Sequence, residues 1–542
     1  MNSSQAAEVV YVNGKLVTLD AGNSVAQAVA VADGKIVRLG TDAQVKALVG
    51  RQTEVVDLQG KTVLPGFIDG HVHPSRAVRM IEKYVDGRFA TTPSVGALLP
   101  KIAARAAQTA LGEWVIAAGS SSSQTRFAER RIPTRAELDS AAPQHPVMFL
   151  NGAHEGVVNS AGLRALGISN DTRELRGARI VLDAEGVPTG VIREGMAIFP
   201  DGRIPDEDLW RYYATAIPEK WNAHGYTSVY ALTPLPELPI LKELATKSPT
   251  TLRYTVAVHA DPGGKYLPAS FDGLPFPASV DPSWYRFAGI KVWADSDVPV
   301  RGGAVSQPYA GPGGGHGILN MTQGELDTLA RRCARDLLPL LVHATGDRAT
   351  AMALTAFERA QAAGAQRTLQ RIEHFGDFML GPDDLTHAKR LGVAINVQPA
   401  WLTTLANSTI VNLGAERARG AFRFRSMIDA GLKPGFGTDL TGIVLETLDP
   451  FLHIWAAVTR NSDVGPFVPE EAVSVTEALR MVTIWAARAQ AEDALKGSIE
   501  VGKLADMVVL SEDIATIPSA AIGDLKVLKT IVGGRVVYDC AA

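Results

Sequence analysis

From about residue 66 to about residue 490, apolar runs of strand length alternate with helical patterns, one unit in about every 30 residues. Leu338–Val342 (LPLLV) reads as a buried strand and is followed by a helix over Asp347–Gly364. Arg371-Ile372-Glu373, a helix over Asp383–Leu391, Val393–Val397 and Lys433–Gly437 continue the rhythm. Strands that are apolar throughout, each returned by a helix, form a parallel sheet covered on both faces, and closure into a (β/α)8 TIM barrel suits a span of this size. An α/β fold built on such a barrel is therefore expected. Two stretches break the rhythm. Residues 85–215 are too many for a single connection, and Gly302–Gly317 (GGAVSQPYAGPGGGHG) is an irregular loop. In barrels, long segments of this kind commonly cover the site.

The flanks differ in kind. Glu8–Val12 and Lys15–Thr18 flank Asn13-Gly14, Ala28–Val31 and Lys35–Val37 flank Asp33-Gly34, and Val55–Leu58 turns through Gln59-Gly60 into Lys61–Leu64. Toward the other end stand Asp506–Leu510 and a pair, Lys529–Val532 and Arg535–Tyr538, around Gly533-Gly534. These turn residues tolerate positive φ, so a hairpin is expected at each. A few hairpins expose too much edge to stand alone. Residues 1–65 and 491–542 are accordingly expected to build one β-sandwich, with the barrel of residues 66–490 inserted into it.

Charge and composition exclude other classes. Lys+Arg 53 against Asp+Glu 57 gives a net charge of -4 with no long run of one sign, so no basic stripe marks a nucleic-acid binder. A hydrophobic share of 46% supplies ample core. Two cysteines, Cys333 and Cys540, build neither a disulfide framework nor a cysteine zinc site, which predicts a reducing, cytoplasmic setting. The opening MNSSQAAEVVYVNGK lacks a basic segment before an apolar one, and no apolar run approaches about 18 residues. Neither a leader nor a membrane span is expected.

Chemistry concentrates at Val63–Pro74 (VLPGFIDGHVHP). His71 and His73 stand two apart at the end of an apolar strand, so both side chains take the same face, and converging neutral imidazoles begin a divalent metal site. Lys291, His343, His374 and Asp439 each follow or close another strand-like run, at the end where barrel active sites lie. His343 and His374 are 31 residues apart, one unit, and His374 and Asp439 are 65 apart, two units. Lys291 and His343 are 52 apart, one unit plus the glycine-rich loop, and His73 and Lys291 are 218 apart, three units plus the long insertion. Strands 1, 4, 5, 6 and 8 are implicated.

These motifs resemble the amidohydrolase superfamily, and more narrowly its amidohydrolase-3 (YtcJ-like) branch. The matching runs are LPGFIDGHVHP at 64–74, KVWAD at 291–295, HATGDRA at 343–349, RIEH at 371–374, GTD at 437–439, ALRM at 478–481 and GSIEVGKLAD at 497–506. The resemblance implies a barrel with a β-sandwich and two divalent ions, read as Zn(II). His71, His73 and Asp439 would hold the more buried ion and His343 with His374 the second, bridged by Lys291 carboxylated on its amine. A carbamate supplies two anionic oxygens where an ammonium would repel both cations. Such a pair generates hydroxide near neutral pH, and Asp439 can shuttle the proton to a leaving nitrogen. The implied activity is hydrolysis of a non-peptide C–N bond (amide, N-acyl or formamide-like) in a small organic molecule. A heterocycle deaminase or cyclic amidase with one metal is the alternative in catalysis, and a non-catalytic metal-containing binding protein the alternative outside it. Relatives commonly form dimers or larger assemblies, which leaves a homo-oligomer open.

Departures from the pattern fall around the pocket. Asp295-Ser296-Asp297 stands where many relatives have Asp-Gly-Ser, Leu440-Thr441-Gly442 where Trp-Pro is common after the aspartate, and His374-Phe375 where His-Ala is frequent. Candidate substrate contacts are His154 in the run NGAHE, Trp293, Gln398 and Trp401. His154 is either a donor to the substrate carbonyl or a structural histidine of the insertion. Trp293 is either a stacking wall or core, and the same alternatives hold for Gln398 and Trp401. Asp347 and Arg348 open a helix and read as a capping or supporting pair.

Overall fold

The computed structural model describes residues 6–175, 178–195, 198–199, 204–261, 263–311, 314–364, 369–440 and 445–541. Its centre is a nearly closed barrel of eight strands: Phe67–Val72 (β1), Tyr226–Pro234 (β2), Arg253–His259 (β3), Tyr285–Trp293 (β4), Leu340–His343 (β5), Arg371–Glu373 (β6), Ala394–Val397 (β7) and Gly435–Phe436 (β8). They pair in chain order and every ladder is parallel. At the seam between β1 and β8, the Asp439 amide donates to the His71 carbonyl at 2.8 Å, while on the other side of β8 the Gly437 amide donates to the Val397 carbonyl of β7 at 3.1 Å. The approach depends on glycine. A Cβ on Gly437 would stand 2.4 Å from His71 Cβ, and one on Gly70 2.4 Å from the Phe436 carbonyl oxygen.

Helices return most strands to the other end: Pro74–Lys83 after β1, Leu238–Lys247 after β2, Gln323–Arg335 after β4, Asp347–Ala362 after β5, Asp384–Leu391 after β6, Leu402–Leu413 after β7 and Pro450–Thr459 after β8. Local sequence sets their ends. Thr322 and Glu325 form a capping box, and Gly392 stops its helix at φ 69°. The buried face of Gln323–Arg335, carrying Leu326, Ala330 and Cys333, joins the core around the barrel. Asp347 opens its helix with its carboxylate accepting from the Ser306 amide at 2.8 Å and from the Ser306 hydroxyl, so it pins the glycine-rich loop.

Residues 85–215 contain a folded layer of their own, a seven-stranded sheet in the order Glu174–Leu175, Ala178–Leu182, Pro188–Arg193, Glu155–Val158, Val147–Asn151, Val115–Gly119, Val85–Asp86. Separate apolar clusters pack on it, one around Met148, Leu150 and Ile192 and one around Leu98, Phe127 and Phe149.

Two further sheets lie outside the barrel, the first built from strands that precede it and the second from strands on both sides of it in the chain. One runs Lys35–Gly40, Ala28–Ala32, Val9–Val12, Glu54–Asp57; the other runs Arg535–Asp539, Val527–Val532, Met507–Leu510, Thr62–Pro65, Lys15–Val17, Val25–Ala26. Tyr11, Val31, Val63, Met507 and Ile531 form one cluster between them. The turns at Asp33-Gly34 and Gly533-Gly534 are hairpins as expected. Asn13-Gly14 and Gln59-Gly60 are not: each carries the chain from one sheet across to the other. Asn13 and Gln59 do adopt positive φ, 55° and 53°. Turn residues fix the local bend, whereas the partner of each strand is chosen by which apolar face it buries. Arg253 at the start of β3 ties this region to the barrel through a buried two-pronged ion pair with Asp506, at 2.7 and 2.9 Å. No helix among the described residues is long and apolar enough to cross a membrane.

Candidate metal centre

The six proposed ligands stand on or just past the ends of β1, β4, β5, β6 and β8, all at the same rim of the barrel. Alternation along β1 sends Asp69, His71 and His73 to one face. Asp69 is fully buried and accepts from the Thr438 amide at 2.9 Å, the Thr438 hydroxyl at 2.7 Å and the Trp221 indole at 2.9 Å, which locks β1 to the loop after β8. Burial lifts its pKa to about 6 against these donors. His71 Nδ1 lies 2.6 Å from Glu373 Oε2, and His71 Nε2 faces Asp439 Oδ1 at 3.2 Å; His73 Nε2 is 3.6 Å from the same oxygen. Glu373 is held by Arg371, at 2.6 Å, whose guanidinium lies over Tyr230. His374 turns Nδ1 to Gln398 Oε1 at 2.5 Å, and Gln398 in turn donates to Asn396 at 2.6 Å. In both cases a fixed acceptor on Nδ1 leaves Nε2 free as a donor to metal.

His71, His374 and Asp439 bring their donor atoms within 4.8 Å of one another, and so do His154, Asp297 and His343. The resemblance pairs His374 with His343 instead; their rings are 4.6 Å apart, so the two groups are adjacent. Lys291 is fully buried on β4, and its amine has no hydrogen-bond partner among the described residues. Burial lowers its pKa to about 8, despite the pull of Glu373 and Asp439 toward the charged form.

Electrostatics suit a cation. Burial keeps His73 and His343 well below the ordinary imidazole range and lowers His374 to about 3. Burial alone would raise Asp439, but His71, His374 and His73 hold it well below the usual carboxylate range. Neutral imidazoles, an ionised carboxylate and an orphaned amine form a donor set that fits a divalent transition metal. Two of the donors also sit in left-handed backbone, His374 at φ 63° and Asp439 at φ 43°. Such conformations cost on the order of 1–3 kcal/mol each and cluster at functional sites.

The candidate substrate contacts fall into three kinds. Trp293 stacks on His73 at 6.1 Å, with the Lys291 amine 5.1 Å above its ring. Trp401 is fully buried and stacks on His374 at 4.8 Å, while Gln398 orients the same imidazole; these two support a ligand from behind. His154 reaches the rim from the tip of the hairpin between Val147–Asn151 and Glu155–Val158, its ring 5.1 Å from that of His343. Glu194 and Asp297 outweigh the burial penalty on its charge and raise its pKa to about 9.

Several participants went unassigned in the sequence. Asp69 shares a strand face with His71, and Glu373 lies inside the RIEH run, so both were within reach of strand periodicity. His259, whose ring lies 5.8 Å from that of His73, ends β3 without a motif. Glu194 follows His154 by 40 positions and nothing local links them. Thr441 and Gly442 lie outside the described residues.

The sequence model of the amidohydrolase family matches residues 54–538. N-substituted formamide deformylase of Arthrobacter pascens is 31% identical over 99% of this chain and 99% of its own. The Bacillus subtilis (strain 168) protein YtcJ is 28% identical over 95% of this chain and 96% of its own. Among solved structures, an uncharacterized metal-dependent hydrolase from Pyrococcus horikoshii superposes with a TM-score of 0.72 at 24% identity, covering 94% of this chain and 99% of that one.

Proposed function

The chain belongs to the amidohydrolase family, and from that membership we propose that it is a metal-dependent hydrolase cleaving an amide, N-acyl or formamide-like C–N bond of a small organic molecule at the rim of the barrel. The observation that carries the reading is the buried meeting of His71, His374 and Asp439 beside a lysine amine with no hydrogen-bond partner among the described residues. Similarity along the whole chain to an N-substituted formamide deformylase favours a formyl or short acyl group on nitrogen.

His71, His73 and Asp439 would hold one ion and His343 with His374 a second, Lys291 bridging them as a carbamate; zinc is the ion this donor set suits best. When bound, the metal supplies an acidified water and a Lewis acid for the scissile carbonyl. Burial makes the Lys291 amine easy to deprotonate, and the neutral amine is the form that adds carbon dioxide. Asp439 takes a proton at the carboxylate oxygen not shared with His71 and His73 and delivers it to the leaving nitrogen. Trp293 offers a flat wall beside His73, and the His154 ring stands at the same rim, 5.1 Å from that of His343. Trp401 and Gln398 fix the angle of His374. Two free thiols, Cys333 and Cys540, accord with a reducing cytoplasm.

The test is metal content of protein purified without chelator, beside Lys291→Ala, each with added bicarbonate, together with formate release from a panel of N-substituted formamides. About two ions per chain, fewer in the variant, with formate released, is the expected result. One ion in both proteins removes the bridging role of Lys291. Protein without metal overturns the reading.

A further inference from the structure

Beside the proposed ligand set lies a second cluster of donors, two of which that set leaves out. His154 Nε2 is 3.8 Å from Asp297 Oδ2, and His343 Nε2 is 3.9 Å from Asp297 Oδ1. One donor atom from each residue lies within 4.8 Å of the others, and all three residues are buried. Two separate features point to a cation among them. First, Asp297 Oδ1 has no hydrogen-bond partner among the described residues, and a carboxylate oxygen removed from water is costly unless a cation faces it. Second, His154 is mounted as a ligand. Both oxygens of Glu194 lie at 3.0 and 3.1 Å from its Nδ1, which favours the ring proton there and turns Nε2 to Asp297. Glu373 holds His71 in the same way.

Glu194 is itself fixed. It is buried, sits at φ 54°, donates its amide to the His154 carbonyl at 2.7 Å and accepts from Asn320 at 3.1 Å. A strained residue held this firmly is over-determined by its surroundings, as happens where geometry has a task. On the barrel side Asp295 accepts from the amides of Ala304, Thr345 and Gly346 at 2.8 to 3.0 Å, which fixes the loop that carries Asp297.

We propose that His154, Asp297 and His343 form a divalent transition-metal site in which the insertion supplies one ligand and the barrel the other two. Two imidazoles and a carboxylate suit Zn(II) or Co(II). The ion beside His343 is then fastened to the insertion, and the sheet of residues 85–193 is stapled to the barrel rim through the metal. Asp297 stands where the resembled pattern carries serine, so this carboxylate sets the chain apart from that pattern. The proposal rests on the reading that the centre holds metal.

The experiment is titration of chelator-stripped protein with Co(II), followed by its visible d–d absorption and by elemental analysis after gel filtration. Wild type, Asp297→Asn, His154→Gln, Glu194→Gln and His71→Asn are compared, with circular dichroism as the folding control. The proposal expects one equivalent of Co(II) to weaken about 100-fold or more in Asp297→Asn and His154→Gln, and about 10- to 100-fold in Glu194→Gln, whose ligands are intact. A different equivalent is expected to be lost in His71→Asn. If either ligand variant unfolds, Glu194→Gln decides by the same spectral criterion. Binding in the Asp297, His154 and Glu194 variants that matches wild type overturns the site while leaving the proposed function standing. Wild type that binds no Co(II) overturns both.

Discussion

Asp439 combines three roles in one residue: its carboxylate faces two histidines, its backbone amide closes the barrel seam, and its backbone adopts φ 43°. Asparagine keeps both its shape and its tolerance of positive φ, so Asp439→Asn separates charge from geometry. The expected outcome is a fall in kcat of about 10²- to 10⁴-fold on any cleaved formamide, with circular dichroism unchanged and metal content measured in parallel. Glu237, beside the Tyr213 hydroxyl at 2.9 Å, carries a different kind of stress. Burial raises its pKa to about 7, so the folded protein holds its proton where the unfolded chain has lost it. Its contribution to stability is complete below the unfolded value near 4.5 and disappears as pH rises through about 7. Glu237→Gln is expected to remove a slope of up to about 1.4 kcal/mol per pH unit across that window, read from urea unfolding at pH 5, 6, 7 and 8.

Among the elements, the run Gly497–Asp506 gains a physical meaning. Asp506 ends it and pairs with Arg253, both almost wholly buried, where the terminal sheets meet β3. Asp506→Asn leaves a guanidinium buried without its counter-charge, and a loss of about 3–5 kcal/mol in denaturant unfolding is expected. The barrel strands were readable because apolar runs recur at a constant interval, and the residues proposed as ligands stood out because each closes or follows such a run, as His343 and His374 do. The signal for Asp69 lies in the alternation along β1 and that for Glu373 in the RIEH run, although neither is assigned from the sequence. Periodicity does not find Glu194, because contact between neighbouring strands of the inserted sheet leaves no local trace. Turn chemistry failed at Asn13-Gly14 for the same reason. The bend was correct, but the strands on either side join different sheets, whose facing sides share one apolar cluster.

At the scale of the molecule, the centre lies between layers that are distant in the chain. Metal binding is therefore expected to stabilise the whole fold: chelation should lower the melting temperature by roughly 2–3 °C for each ion present at a hundredfold its Kd, reversed by adding metal back. Scanning calorimetry with and without chelator checks this. One further consequence follows from the six-stranded sheet, in which Thr62–Pro65 lies directly between Lys15–Val17 and Met507–Leu510. During translation Thr62–Pro65 leaves the ribosome long before Met507–Leu510 is made, an interval of roughly a minute at ordinary elongation rates. Throughout that interval the nascent polypeptide carries an unpaired, largely apolar strand edge that the finished fold buries, the kind of surface that chaperones bind and that aggregates when it is not shielded. Synthesis of this protein thus includes a long exposed interval, and its yield in a cell depends on how well that edge is guarded until the late strand arrives.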